Sequence, residues 1–128
     1  MKKTTKIEIK EDPQVEQRER TVALFSEMLM SVFRIDQKTK DIPEAKGAKR
    51  HIEKIKDLIN LYGVSYHDPI GEKYNSNRTD VIIDSVSHQQ GIITEVFSPI
   101  MSVYGDDGTR KIIKKGEVTV KMPKKQQQ

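Results

Sequence analysis

The sequence contains no cysteine, and this absence excludes disulfide bonds, thiol nucleophiles and thiolate metal ligands. Aromatic residues make up only 5% of the chain. Proteins that bind nucleic acid through stacked bases place aromatic side chains among basic ones, so this composition argues against a nucleic-acid partner. No apolar run is long enough for a transmembrane helix, and no apolar segment follows the N-terminal lysines as in a signal peptide. We therefore expect a cytoplasmic protein with no membrane partner.

Recognisable catalytic and metal-binding motifs are also missing. His51, His67 and His88 do not have the spacing of metal ligands. The segment Gly105-Asp106-Asp107-Gly108 lacks the further acidic positions of an EF-hand, and no Gly-Lys-Ser/Thr phosphate loop or Gly-x-Ser-x-Gly elbow occurs. We therefore expect a binding protein rather than an enzyme, with no catalytic residue, no cofactor and no bound metal.

Charged residues are about as frequent as apolar ones, at 33% and 34% of the 128 residues. A chain this polar is not expected to bury one large core, and narrow apolar seams in a helical pair or an oligomer suit it better. The formal net charge is +4, and we interpret the basic clusters Lys2-Lys3, Lys114-Lys115 and Lys124-Lys125 as solubilising charge.

Apolar residues recur with helical spacing in two stretches, at about residues 14–35 and 43–62. Asp41, Pro43 and Glu44 form a predicted start for the second helix, with Asp41 as the cap. Gly63 is the predicted stop. Two such helices, joined by a short polar segment, predict an antiparallel hairpin that pairs with a second copy into a four-helix bundle. The predicted dimer interface consists of Val22, Phe25, Leu29, Val32, Ile52, Ile55 and Ile59.

The apolar pattern changes to a period of two after Gly63, which predicts short strands. Strands are expected near 64–66, 79–86, 91–97, 101–104, 110–113 and 117–122. In the strand at 91–97, alternation predicts Ile92 and Val96 on one face and Ile93 and Phe97 on the other. The predicted fold class is α+β, with a helical hairpin before a small all-β head. The predicted organisation is a flexible N-terminal arm (1–13), a helical dimerisation region (14–63), the head (64–122) and a polar tail (123–128).

Three segments of the head resemble the GrpE family, the nucleotide exchange factors and co-chaperones of DnaK-type chaperones. The first is Leu61-Tyr62-Gly63-Val64 followed by Asp68-Pro69-Ile70-Gly71-Glu72-Lys73-Tyr74-Asn75. The second is Gly91-Ile92-Ile93-Thr94-Glu95-Val96, and the third runs from Gly108 to Val120. They occur in the order and with the spacing of that family, and together they cover nearly half of the chain.

The resemblance implies an adenyl-nucleotide exchange factor in protein folding and the stress response. Such a homodimer docks its head on the ATPase domain of a DnaK-type chaperone and favours ADP release. The side chains that the resemblance places at the chaperone are Phe97, Met101, Arg110 and Lys111. The family's basic contact corresponds to either Arg110 or Lys111, because the hairpin tip is about two residues longer here.

Several departures from the family leave two other interpretations open. The chain is basic where most members are acidic, it has almost none of the long paired helix that precedes the bundle, and Lys114-Lys115-Gly116-Glu117 replaces a family motif. A dimeric adaptor or scaffold with this fold but without exchange activity is the first alternative. The second, which the composition disfavours, is a nucleic-acid-binding module that uses Lys111, Lys114, Lys115 and the Lys124-Lys125 tail.

Overall fold

Two helices precede seven strands in the part of the chain that the computed structural model describes, residues 13–122. This order confirms the α+β class. The predicted polar tail and all but the last residue of the predicted arm lie outside the described residues. The elements are α1 (Pro13–Thr39), a 3-10 turn (Pro43–Ala45), α2 (Lys46–Asn60), β1 (Val64–His67), β2 (Lys73–Tyr74), β3 (Val81–Ile83), β4 (Gly91–Ser98), β5 (Ile100–Tyr104), β6 (Arg110–Lys114) and β7 (Gly116–Lys121).

Helix α1 is longer than its apolar pattern predicts, because it continues through the polar segment after Ile35. Its 27 residues span about 40 Å. No glycine or proline interrupts residues 36–39, and the side chain of Gln37 donates a hydrogen bond to the carbonyl oxygen of Val96 at 3.2 Å. This contact ties the last turn of α1 to β4, so tertiary structure stabilises a segment that lacks an apolar stripe of its own.

The start of the second helix differs from the prediction. Ile42, and not Asp41, precedes the 3-10 turn, and no side chain caps that turn or α2. Ile42 is extended, with φ −105° and ψ 107°, as expected for a residue before proline. The helical turn begins at Pro43, as predicted, but it is a 3-10 turn as far as Ala45, and the α-helix begins at Lys46. The predicted stop is confirmed, since Gly63 has a φ of +82° just beyond the end of α2.

The strands form two sheets. The first is antiparallel with the order β1-β5-β6, and the second has the order β2-β4-β7-β3, in which only the β3–β7 pair is parallel. Pro99 lies between β4 and β5, where the chain passes from the four-stranded sheet to the three-stranded one. The predicted hairpin tip at residues 105–108 is confirmed, because it joins β5 to β6.

Irregularities in β4 decide which of its side chains reach the core. The pairing with β7 shifts between Ile93 and Glu95 and again between Val96 and Ser98. A bulge adds a residue to one strand and resets the alternation of its side chains. Ile93 and Val96 are therefore both buried, while Phe97 is exposed, and the simple two-face prediction for this strand is wrong.

The buried residues form two clusters, and both combine helical and sheet side chains. In the first, Phe33 of α1 packs into the four-stranded sheet, against residues that include Ile93 and Val118. In the second, Leu29 and Ile59 from the two helices pack on Val64 and Met101 of the three-stranded sheet. The helices and the strands therefore share their apolar core. Within residues 13–122, no helix has the length and apolarity needed to cross a bilayer.

Candidate binding surface

The seven residues of the predicted dimer interface do not all reach the surface. Val22 and Phe25 are partly buried against the cluster around Leu29, and Ile55 is exposed. The other four are at most 6% exposed within the single chain, and a side chain covered by its own chain has little surface to offer a second copy. The structure therefore assigns these four to the intrachain core, and the dimer itself stays a prediction. They are Leu29, Val32, Ile52 and Ile59.

Other apolar side chains of the helical region remain exposed. They lie on the parts of α1 and α2 that the sheets do not cover, and they continue past the end of α2. Tyr62 is largely exposed, although its ring meets the ring of Phe25 edge-on at 4.9 Å between centroids. Five of these side chains are left exposed by the other residues of the described range 13–122: Leu24, Met28, Ile55, Leu58 and Leu61.

Two of the predicted chaperone contacts have opposite environments. Phe97 is 47% exposed on β4, whereas Met101 is 1% exposed. Met101 pairs with Tyr66 of β1 and packs beneath Leu29 and Ile59. The prediction that Met101 is an exposed contact is therefore wrong, because both helices cover the face of β5 on which it lies. Met101 can support a binding surface only from below.

Arg110 and Lys111 are both exposed and begin β6. Arg110 pairs with Tyr104, and its Nε atom donates a hydrogen bond to the hydroxyl of Ser102 at 3.2 Å. Lys111 pairs with Val103 and lines a groove against α1. Since successive residues of a strand point to opposite faces, the two basic side chains serve different surfaces. Both pair with the last two residues of β5, at the hairpin end, and that end lies about 13 Å along the strand from Ile100, where β5 begins.

An ion-pair network around Arg78 was not predicted from the sequence. Its guanidinium donates to both carboxylate oxygens of Asp80, at 2.9 and 3.1 Å, and pairs with Glu72 at 3.0 Å. It also donates to the carbonyl oxygen of Lys73 at 2.9 Å, and His67 contacts the other oxygen of Glu72. The hydrogen bonds from Arg78 hold the pKa of Asp80 below its ordinary value. The network joins β1, β2 and the start of β3, and the Arg-x-Asp spacing before a strand was its only sequence signal.

Other carboxylates also have structural partners. Asp84 accepts hydrogen bonds from the hydroxyls of Ser87 and Thr119, both at 2.6 Å, and these bonds lower its pKa. At the hairpin tip, Asp107 accepts the backbone N–H of Thr109 at 2.9 Å, which lowers the pKa of Asp107. Among residues 13–122, no three histidine, aspartate or glutamate side chains lie together as a metal site would require.

A groove of about 540 Å³ runs between the first half of α1 and the β5–β6 hairpin. Its apolar walls come from both elements, and exposed polar residues form its rim. A weak ion pair between Arg18 and Asp106, at 3.4 Å, bridges α1 to the hairpin tip. The apolar lining residues are Val15, Val22, Ala23, Val103 and Ile113.

The surface therefore offers exposed aromatic, aliphatic and basic side chains on a scaffold of two sheets. Such groups bind macromolecules through burial of apolar area and through charge pairing. Comparisons of the chain with protein-family models, with curated proteins and with solved structures give no match.

Proposed function

We propose that the protein is a GrpE-like nucleotide exchange factor, which binds the ATPase domain of a DnaK-type chaperone and promotes ADP release. The motifs from Leu61 to Val120 support this proposal through their order and spacing. The observation that carries it is the exposure of Phe97, at the position where the family presents a large apolar residue to the chaperone. A bulged strand holds this ring outward, although its neighbours Val96 and Ser98 are buried.

Exchange in this mechanism is driven by a difference in affinity between two states of the chaperone. The factor binds the open nucleotide cleft more tightly than the closed one, and it shifts the equilibrium only by that difference. Burying the exposed half of Phe97 supplies about 1 kcal/mol, and Arg110 and Lys111 add charge pairing at the hairpin. Because a tenfold shift needs about 1.4 kcal/mol, these groups suffice for a moderate acceleration when they make their contacts with the open cleft and not with the closed one. By linkage, ATP binding to the chaperone expels the factor.

The proposal includes a homodimer in which two helical hairpins form a four-helix bundle. The exposed residues Leu24, Met28, Ile55, Leu58 and Leu61 support it, because covering exposed apolar side chains is favourable in water. These residues replace the four buried ones as the centre of the proposed interface. The sheets, which pack against Leu29, Phe33 and Ile59 of the helices, would remain free to dock.

The decisive experiment is stopped-flow release of fluorescent ADP from a DnaK-type ATPase domain. We expect acceleration that saturates with the concentration of this protein, and a roughly five- to tenfold weaker half-saturation for Phe97→Ala. Ile82→Ala is the matched control, because Ile82 is 54% exposed on β3 of the same sheet and should leave exchange unchanged. Equal effects of the two substitutions would contradict the assignment of Phe97.

A dimeric adaptor without exchange activity is the second candidate. The replacement of a family motif by Lys114-Lys115-Gly116-Glu117 and the lengthened hairpin tip favour it. Size-exclusion chromatography with light scattering, run with the nucleotide-free ATPase domain and then with ATP, shows whether a complex forms. Together with the stopped-flow measurement it distinguishes the adaptor from the exchange factor. A complex that forms without any acceleration of ADP release supports the adaptor, and the absence of a complex contradicts both candidates.

A further inference from the structure

Strand β6 forms an open edge of the three-stranded sheet. Among the described residues it pairs only with β5, so alternate backbone N–H and C=O groups along residues 110–112 point away from the sheet, and a register shift between Ile112 and Lys114 interrupts the alternation beyond them. All five of its residues are exposed. An edge strand of this kind is a template for a further strand, and its basic side chains oppose pairing with a second copy of itself.

The groove beside this edge has the shape that an extended peptide requires. Val15, Val22 and Ala23 recur on one face of α1, and Val103 and Ile113 complete the apolar walls from the sheet. Val22 and Val103 also pack against the buried cluster around Leu29, so their side of the groove rests on the core. When a peptide adds to a sheet edge, its main chain supplies affinity and every second side chain enters a pocket.

The charge of the edge indicates which peptide fits. Arg110, Lys111, Lys114 and Lys115 are basic, and no acidic residue occurs between positions 110 and 115. The acidic residues of the neighbouring tip already have partners, Arg18 for Asp106 and the N–H of Thr109 for Asp107. Glu19 is the acidic residue of α1 in the groove lining. The edge therefore complements an acidic chain.

We propose that β6 and the adjoining groove bind an extended acidic segment of a partner protein by strand addition. In this complex the partner's main chain pairs with the free edge of β6. Its apolar side chains enter the groove between Val22, Val103 and Ile113, and its carboxylates lie on the opposite face, where they meet Arg110. The inference does not depend on nucleotide exchange: Arg110 and Lys111 belong to both proposed surfaces, but the peptide test contains no chaperone.

The test uses fluorescence anisotropy with the full chain and a labelled eight-residue peptide that alternates valine and glutamate. We expect saturable binding with a Kd on the order of tens of micromolar. N-methylation of alternate residues on the pairing edge of the peptide should weaken binding at least tenfold, whereas methylation of the opposite set should leave it intact. Equal tolerance of both methylation patterns would mean attraction by charge alone and would overturn strand addition.

Protein variants locate the site. Arg110→Glu and Ile113→Asp, both at exposed positions, should each weaken peptide binding at least fivefold, with circular dichroism unchanged. Lys121→Glu is the matched control, because Lys121 is an exposed basic residue of β7 outside the groove. If the control weakens binding as much as Arg110→Glu does, the site is not at β6.

Hydrogen exchange distinguishes other occupants of the edge. The peptide should slow exchange of the outward amides of β6 in the full chain. These amides could instead be protected already without peptide. Loss of that protection when residues 1–12 are deleted would mean that the chain itself occupies the edge, and loss on dilution would mean that a second copy does. Preferential binding of a single-stranded oligonucleotide over the acidic peptide would support the nucleic-acid interpretation, and any of these results overturns the proposal.

Discussion

At the scale of single residues, the environment of an apolar side chain on β4 or β5 depends on details that alternation does not specify. Phe97 and Met101 are four residues apart, yet one is exposed and the other is buried. One register shift lies between Ile93 and Glu95 and a second spans Phe97 itself, and the helices cover Met101. The local pattern of apolar residues shows neither effect. The sequence could therefore identify both residues as candidate contacts, but it could not show which of them is exposed.

The Arg78–Asp80 pair makes a contribution to stability that depends on pH. The pKa of Asp80 is lower in the folded chain than its ordinary value of 3.8, chiefly because Arg78 donates to its carboxylate. The stabilisation is therefore present above that ordinary value and is lost as the pH falls through the folded-state pKa. We expect Asp80→Asn to reduce the free energy of unfolding by about 0.5–1 kcal/mol at pH 7, with the two proteins converging below about pH 4. Urea denaturation across this pH range measures the difference.

Asp106→Asn is the control for this prediction, because the two hydrogen bonds that Asp106 accepts from Arg18 are long, at 3.4 and 3.5 Å, and its side chain is 92% exposed. An exposed pair of this kind contributes little. A deficit of Asp80→Asn that persists unchanged down to pH 2 would mean that the loss comes from packing and not from the charge of the carboxylate.

At the scale of elements, the junction between α2 and β1 depends on a glycine for two separate reasons. Gly63 has a φ of +82°, and a Cβ atom there would lie 2.9 Å from the carbonyl oxygen of Tyr104. Gly71 has the same φ of +82° but nothing within 4 Å of the corresponding position. The two glycines therefore separate backbone strain from steric exclusion.

We expect Gly71→Ala to destabilise the protein by about 1 kcal/mol, from the positive φ alone. Gly63→Ala should lose at least about 1 kcal/mol more, because the backbone of β5 must move away from the new methyl group. Thermal or urea denaturation of both variants gives the difference. Equal losses would show that the contact with Tyr104 yields without strain.

Element type could be predicted better than element boundaries. The helical periodicity around Val22 and Ile52, the turn residues at 105–108 and the apolar run at 81–83 each identified a real element. The end of α1 and the start of α2 were missed, because Gln37 bonds to a distant strand and Pro43 imposes an extended Ile42. Both causes lie outside the periodic pattern, the first in tertiary contact and the second in the stereochemistry before proline.

At the scale of the whole molecule, periodicity could not say what the helical stripes pack against. A stripe that suits a partner helix also suits a sheet, and here Leu29 and Phe33 are buried against strands of the same chain. For the same reason the exposure of the candidate contacts was predicted only in part. Phe97, Arg110 and Lys111 are exposed as predicted, and Met101 is buried. The groove beside β6 was not predicted, since it depends on how α1 crosses the hairpin.

The proposed dimer gives a prediction at this scale. Leu58 is 52% exposed on α2, and burying its remaining surface between two subunits would contribute about 1 kcal/mol for each copy. We expect Leu58→Glu to weaken dimerisation at least tenfold, as measured by light scattering over a dilution series. Ile70→Glu, at a 46% exposed position in the turn before β2, should leave the mass unchanged. A wild-type protein that stays monomeric at high concentration would refute the dimer.

The position of β7 has a consequence for synthesis on the ribosome. β7 is the last of the described strands to be made, yet it lies inside the four-stranded sheet, between β4 and β3. Those two strands have no common neighbour until residues 116–121 emerge, so a nascent chain cannot close this sheet before these residues have been made. Until that moment the unjoined flanks of β3 and β4 are exposed to other polypeptides, and premature termination before Gly116 would leave a product that cannot complete its own fold.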